Sequence, residues 1–495
     1  MSFAYDVVPY TGRPFARTHP RRLATLATLF GMKPPHIEHC RVLELGCTDG
    51  GNLIPMALQL PDSEFIGVDL ASSRVAAGQE IIDQLGLKNI ELRAVDLALV
   101  DAEWGEFDYI IAHGVYAWVP AAVRDAILRI AAKNLAPQGV AFVSYNAYPG
   151  GYLRRTFREM MLHHTDGIED PRERIAKAKE LMMFLDSSID SKDGHYQAFV
   201  RREISEILER PANVLFHDEL AEHWEPVFFH ELIAHAQRHG LQFLAEADYW
   251  DMGDNGLRPE VVERLTSLIG DDRLAREQYR DFLKCRKFRR TLLCHERVSL
   301  DAKVKATRVQ ALYASSPASS LPVNSEEESA RIRAFFSEAG AQMKTSHPLV
   351  IALISRLIES SPRSTHFEEL LAEFGPENTE PISEILLSMY TAGLVDLAVW
   401  RPAFVSIAGE RPEASPLARL QASRGSTMTT LNHATVEAED DQVRRLVTLL
   451  DGTRNRAELM RDLLGSPPAG GERGTLDREL DRNLATVAKL ALLIR

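Results

Sequence analysis

RVLELGCTDGGNLIPM, residues Arg41 to Met56, decides the fold of this chain. Val42, Leu43 and Leu45 make a short apolar run, Gly46 to Gly51 a turn of small residues, and the residues after that turn have a helical pattern. The stretch therefore reads as strand, tight loop, helix. Such a unit cradles a nucleotide, because glycines allow positive φ and the free amides at a helix start face the space above the strand end. Glu44, two positions before the first glycine, would repel a phosphate and suits a cationic ligand. Gly46, Gly50 and Gly51 complete neither G-x-G-x-x-G nor G-x-G-x-G, since Thr48 holds the middle glycine position of both.

Discrimination comes from the strands downstream. EFIGVDLASSR, Glu64 to Arg74, is an apolar strand ending in Asp69, where a carboxylate can take both ribose hydroxyls. IELRAVDLA, Ile90 to Ala98, ends in Asp96, placed to accept from the exocyclic amine of an adenine. Nicotinamide-dinucleotide proteins share the first acid but not usually the second. FDYIIAHGVYAWV from Phe107 and GVAFVSYNAYPG from Gly139 also end in polar and aromatic residues. Successive strand tips thus carry ligand-type chemistry on one edge, where open α/β sheets bind their ligands.

This order resembles the class I S-adenosylmethionine-dependent methyltransferases. The phrases YDVVPYTGRPFARTHP (Tyr5 to Pro20), ELGCTDGGNLIPMA (Glu44 to Ala57), HGVYAWVP (His113 to Pro120), SYNAYPGG (Ser144 to Gly151) and FHDELAEHWEPVFFHELIAHAQRHGLQFLAEAD (Phe216 to Asp248) resemble more closely the group with a methyltransferase regulatory domain. That group includes lysine methyltransferases acting on rickettsial outer-membrane proteins. The resemblance implies S-adenosyl-L-methionine as cofactor and a Rossmann-like seven-stranded core with a helical insertion, followed by mostly helical, winged-helix-like domains. It implies cofactor contacts from Glu44, Gly46, Cys47, Thr48, Asp49, Gly50 and Asn52, from Asp69 with Leu70, from Asp96 with Leu97, and from His113 with Gly114. The aromatic N-terminal segment would close over the cofactor with Tyr10 or His19 lining the site. At Thr48 the family more often has glycine, and a β-branched residue there narrows or re-aims the loop.

The 495 residues, 45% hydrophobic and 26% charged, exceed what one core accommodates. The expected division is 1–150 for the N-terminal segment and cofactor-binding core, 151–212 for a helical insertion, which the resemblance implies is a dimer surface, and 213–300 for the rest of the core with the regulatory motif. Beyond these come a winged-helix-like domain at 301–410 and a helical domain at 411–495. In the winged-helix-like domain, helices near 326–338, 347–360, 366–374 and 380–392 would precede extended runs at Leu394 to Trp400 and Phe404 to Ala408. No apolar run reaches membrane-span length and no signal-peptide layout is present, so the expected compartment is the cytoplasm, without membrane insertion. The four cysteines form no C-x-x-C pair, which fits a reducing environment. A net charge of −13 and the lack of a Lys/Arg-rich recognition face argue against nucleic acid.

HELIAH superficially suggests a zinc motif, but His230 and His235 stand five apart, about 140° around a helix, and cannot chelate from one face. His235 and His239 are four apart and could, yet no third ligand is evident from spacing, so no metal is assigned.

A sulfonium is already activated, so catalysis rests on holding a nucleophile in line and excluding water. A lysine acceptor must be neutral, against about 4–5 kcal/mol of preference for the ammonium at pH 7. Tyr116, Trp118, Tyr145 and Asn146, just past the fourth and fifth strands, are the expected acceptor pocket. The expected activity is N-methylation of lysine in a protein substrate. A small-molecule O- or N-methyltransferase is the alternative within the fold, and a cofactor-binding regulator without turnover the alternative outside it.

Overall fold

The computed structural model describes residues 8, 12–188, 194–254, 256–322, 332–337, 340–464 and 473–495. Tyr10 lies outside the described residues. Helix α1 (Pro20–Leu29) leads into the sheet: Pro20 sits in its first turn and the His19 ring accepts from Arg21 N at 3.1 Å. The alternation expected after Arg41 is present as β1 (Arg41–Leu45), α2 (Leu53–Gln59), β2 (Glu64–Asp69), α3 (Ser72–Leu85), β3 (Ile90–Ala94), β4 (Phe107–Ala112), α4 (Ala121–Asn134) and β5 (Leu135–Asn146).

After β5 the chain leaves the sheet for α5 (Gly150–His164), α6 (Pro171–Ser188), α7 (Gly194–Leu208) and α8 (Ala212–Glu219), which gather around their own core of Phe157, Met161, Met182, Ile204 and Leu215. It returns through α9 (Phe229–Arg238) and β6 (Leu241–Glu246), departs again as α10 (Pro259–Ile269) and α11 (Arg273–Lys284), and finishes with β7 (Phe288–His295). The seven-stranded sheet has the order β3-β2-β1-β4-β5-β7-β6. β1 to β5 are parallel, and β7 is antiparallel to both β5 and β6.

Both faces of this sheet are buried, as a parallel sheet requires. Tyr109 and Ile111 of β4 enter one layer with residues of α1, α2 and α3, while Ile110 and Ala112 enter the other with residues of α4 and α9. Each such large side chain contributes on the order of 1.5–3 kcal/mol by leaving water. At the α11 end, Arg289 is fully buried and pairs with Glu246 (2.7 Å), Glu277 (3.1 Å) and Asp281 (2.8 Å).

The middle region comprises β8 (Tyr313–Ser315), β9 (Ser319–Pro322), β10 (Arg333–Phe336), β11 (Gln342–Thr345), α12 (Pro348–Ser360), β12 (Thr365–His366), α13 (Phe367–Phe374), α14 (Thr379–Thr391) and β13 (Asp396–Ala398). Two expectations fail here. Residues 333–336, placed in a helix, form the central strand of the sheet β11-β10-β9, and residues 404–408 form no strand. Cross-strand pairing outweighs helical periodicity in so short a run. The region shares a hydrophobic core with the seven-stranded sheet, Tyr249 stacks on Tyr390 with ring centroids 5.2 Å apart, and Val399 N donates to Thr25 Oγ1 at 3.0 Å.

The C-terminal part holds α15 (Pro416–Arg424), the hairpin β14 (Thr427–Thr429) and β15 (Thr435–Glu437), α16 (Asp441–Leu449), α17 (Arg456–Leu464) and α18 (Arg473–Lys489), with a core of its own. α16 and α17 are separated at Asp451-Gly452, with Gly452 at φ 78°.

Candidate active site

A cavity of about 400 Å³ opens above the carboxyl ends of β1, β2, β3, β4 and β5. Of the residues expected at the cofactor, Glu44, Gly46, Cys47, Thr48, Asn52, Asp69, Leu70, Leu97, His113 and Gly114 line it. The turn after β1 is shaped by Gly46 at φ 80°, where a Cβ would stand 2.5 Å from Val115 Cγ2. Thr48 takes φ 49°, a left-handed conformation unusual for a β-branched residue, and its N donates to Asp69 Oδ2 at 2.8 Å. Asp69 Oδ1 accepts from Ala71 N at 2.9 Å, so the loop and the second strand tip lock each other. Burial raises the Asp69 carboxyl above its ordinary value.

Glu44 is buried and Oε1 accepts from Asn52 Nδ2 at 2.7 Å, while Oε2 has no hydrogen-bond partner among the described residues. Burial pushes this carboxyl up to about 8. An orphaned buried carboxylate oxygen on the wall of a cavity fits a cationic ligand, which would restore its ionised form. The residues present thus suit S-adenosylmethionine.

The other expected cofactor residues stand elsewhere. Asp49 braces the loop, with Oδ1 accepting from Gly12 N at 3.0 Å and from Gly51 N at 3.2 Å, and it pairs with Arg74. Gly50 turns the backbone at φ 71°. Asp96, between the lining residues Val95 and Leu97, is exposed and accepts from Ala98 N at 2.9 Å. His19 is buried away from the cavity, 5.1 Å from the His433 ring and 6.2 Å from the Trp400 ring. Instead Gly12, Arg13 and Phe15 bring the N-terminal segment to the cavity. It crosses so near the loop that a Cβ on Gly51 would meet the Gly12 backbone at 2.4 Å.

Of the residues expected at the acceptor, Trp118 and Asn146 line the cavity, and Tyr116 and Tyr145 do not. Tyr145 and Asn146 are neighbours on β5, so their side chains leave opposite faces. Tyr145 points into the layer beneath and meets Thr291 Oγ1 at 3.1 Å. Tyr116 and Trp118 lie two apart in a 3₁₀ turn, about 240° around it. The Tyr116 hydroxyl accordingly meets His235 Nδ1, at 2.9 Å, rather than the cavity.

Asn146 is buried, and its Oδ1 has no partner among the described residues. The cavity lining also includes Val119, Arg154, His217, Asp218 and Phe288, none of which was assigned to the site from the sequence. Arg154 donates to Glu219 Oε1 at 3.0 Å and lies over the Trp118 ring, 5.5 Å from its centroid. His113 contacts Ser144 Oγ at 2.9 Å, and burial together with the Arg290 charge lowers its pKa to about 3, so the ring is neutral.

The C-terminal part also reaches this centre. His433 Nε2 meets Asn52 Oδ1 at 2.9 Å, and Asn52 Oδ1 also accepts from Phe15 N at 3.0 Å. Glu44, the N-terminal segment and the distant C-terminal hairpin therefore converge on one amide side chain.

Comparisons with known proteins bear on the fold and the cofactor. Residues 36–187 match a methyltransferase domain, residues 211–295 the predicted methyltransferase regulatory domain, and residues 410–471 the PKMT C-terminal winged helix domain. The last falls in the part expected to be simply helical, where α15, the β14–β15 hairpin and α16 lie. An uncharacterized protein of Rickettsia prowazekii is 34% identical over 390 residues, covering 77% of this chain and 70% of that protein. A second from the same organism is 36% identical over 241 residues, 49% of this chain and 96% of that one. The structure of PKMT2 from Rickettsia typhi superposes with a TM-score of 0.86 at 25% identity, over 98% of this chain and all of that one. The same protein in complex with AdoHcy gives 0.86 at 26% identity. With its sheet order, its acidic strand tips and these relatives, the chain belongs to the class I S-adenosylmethionine-dependent methyltransferases that carry a methyltransferase regulatory domain.

Proposed function

We propose that this methyltransferase acts on the side-chain nitrogen of lysine in a protein substrate, with outer-membrane or surface proteins as the substrate class that the family resemblance implies. The observation that carries this reading is Asn146 Oδ1, a buried amide oxygen on the cavity wall with no partner among the described residues. Leaving such an acceptor unpaired costs about 1–3 kcal/mol, and a neutral amine supplies the donor that it lacks.

His113, held neutral with a pKa of about 3, is too weak a base to take a proton from an ammonium. The acceptor end can instead act on the amine's own equilibrium. Trp118, Val119 and Phe288 strip water from an entering side chain, which favours the neutral amine, while the Arg154 guanidinium is paired with Glu219 and Asp218. When bound, S-adenosylmethionine supplies a methyl group already activated by its sulfonium. Asp69 would hold its ribose hydroxyls and Glu44 its charged end, while Gly12, Arg13 and Phe15 exclude water.

The test is incubation with cofactor labelled in the methyl group and with cell extract. Label released from protein as methyl-lysine on hydrolysis supports the reading. Label confined to small molecules replaces it with the small-molecule alternative, and cofactor uptake without any transfer favours the regulator.

We also propose that two copies pair through the helical insertion, in the cytoplasm. Met183, Phe184 and Tyr196 are exposed on α6 and α7, an apolar face suited to a second copy. Among the described residues no helix is long and apolar enough to cross a membrane. A concentration-independent monomer on gel filtration would remove the pairing.

A further inference from the structure

We infer a divalent transition-metal site outside the cavity, where α4 meets α9, with His235, His239 and Asp125 as ligands. The two histidines are four apart at the end of α9 and share one helix face, as a chelating pair does. Spacing alone left them without a third ligand, and the fold supplies it from another helix. Asp125 Oδ1 lies 3.1 Å from His235 Nε2 and 2.9 Å from His239 Nε2. All three ligand atoms fall within 4.8 Å of one another. Ligands bound tetrahedrally at about 2.0–2.1 Å stand about 3.3 Å apart, so an opening of a few tenths of an ångström admits the ion.

The surroundings fit ligation. His235 Nδ1 is 2.9 Å from the Tyr116 hydroxyl. With Nδ1–H donating to that oxygen, the Nε2 lone pair faces Asp125, which is the tautomer a metal ligand needs. Asp125 is exposed, so water has access to a fourth position. Two imidazoles and one carboxylate select zinc-like ions over magnesium or calcium. A bound ion would clamp α4 to α9 and, through His235, brace the turn that carries Trp118 to the cavity.

The experiment uses the full chain, tag-free and stripped by a chelator, titrated with cobalt(II) and then zinc(II). The expected result is uptake of one equivalent of cobalt with visible d–d bands of a low-coordinate site, lost on displacement by zinc. His239→Ala and Asp125→Asn are each expected to weaken uptake by at least about 100-fold, since each removes a direct ligand. Retained S-adenosylhomocysteine binding by the metal-free variants would show that they fold. No saturable uptake by the parent, or uptake unchanged in both variants, would overturn the site and leave a histidine–carboxylate hydrogen-bond cluster.

Discussion

At one end of the cavity Glu44, Gly46, Thr48, Asp69 and Leu97 each sit at, or within a few residues of, the carboxyl end of a parallel strand. At the other end Asn146, Arg154, His217, Asp218 and Phe288 come from β5, α5, α8 and β7, so the wall exists only once the helical insertion has docked against the sheet. The cofactor end is braced mainly by neighbouring elements, Thr48 N on Asp69 and Asn52 on Glu44, with longer-range bonds to Asn52 from Phe15 N and His433. The acceptor end is braced across the chain, with Arg154 bonded to Glu219 and lying over Trp118. Local bracing gives a site that tolerates variation elsewhere, whereas a wall gathered from distant elements is where substrate choice can change without disturbing the cofactor.

The contrast can be broken by substitutions at each end. Asp69→Ala is expected to have the largest effect, lowering affinity for S-adenosylhomocysteine by about 100-fold or more in calorimetry, since it removes a ribose acceptor and unlocks the loop together. Unchanged affinity would dissolve the cofactor end as described. At the other end, Asn146→Ala should lower kcat on a protein acceptor by about 10- to 100-fold while the cofactor Kd moves less than about twofold, because orientation is lost and not cofactor binding. A matching loss in cofactor affinity would mean that the two ends are not separable.

Glu44 sharpens the comparison through pH. Its raised value of about 8 leaves the carboxyl mostly protonated at neutrality, and a cationic ligand requires the ionised form. Binding should therefore release a proton, and affinity for S-adenosylmethionine should rise by up to about tenfold per pH unit from pH 6 to 8. Glu44→Gln should flatten that profile. For the unliganded fold the sign is opposite: a carboxyl raised from 4.5 to about 8 makes its stabilising contribution at low pH and loses it between those values.

A smaller effect is expected of His433→Ala. It removes the only described bond from the C-terminal hairpin to Asn52, and cofactor affinity should fall by about three- to tenfold. Smallest is Thr48→Gly. Relief of the left-handed conformation, about 1–2 kcal/mol, is half offset by the greater freedom of glycine when unfolded, about 0.5–1 kcal/mol, for a net gain of about 0.5–1 kcal/mol in denaturant unfolding.

Much of the cofactor end was legible because its chemistry lies beside a strand end, and strand ends announce themselves by apolar runs leading into small and acidic residues. Asp96 shows the limit of that rule. It has the right position in sequence, yet its carboxylate caps its own turn while Val95 and Leu97 face the cavity. The proposed acceptor end was legible only in part: of the four residues expected there, Trp118 and Asn146 line the cavity and Tyr116 and Tyr145 do not. The period of two along β5 would have excluded one of Tyr145 and Asn146, had the strand's extent to Asn146 been recognised. Nothing in spacing marked Arg154, His217 or Phe288, since no local pattern records which helix packs over which strand.

The sequence by itself determined the order of strands and helices in the seven-stranded core, the acidic strand tips and the family, because these arise from periodicity and from chemistry within a few residues. Tertiary structure alone decided which aromatic side chains face the cavity, that Asp125 comes to His235 and His239 across the gap between α4 and α9, and that a histidine near residue 430 closes on the loop near residue 50. Those contacts join residues far apart in the chain, and they are fixed by packing of whole elements, a property that no single stretch of residues carries.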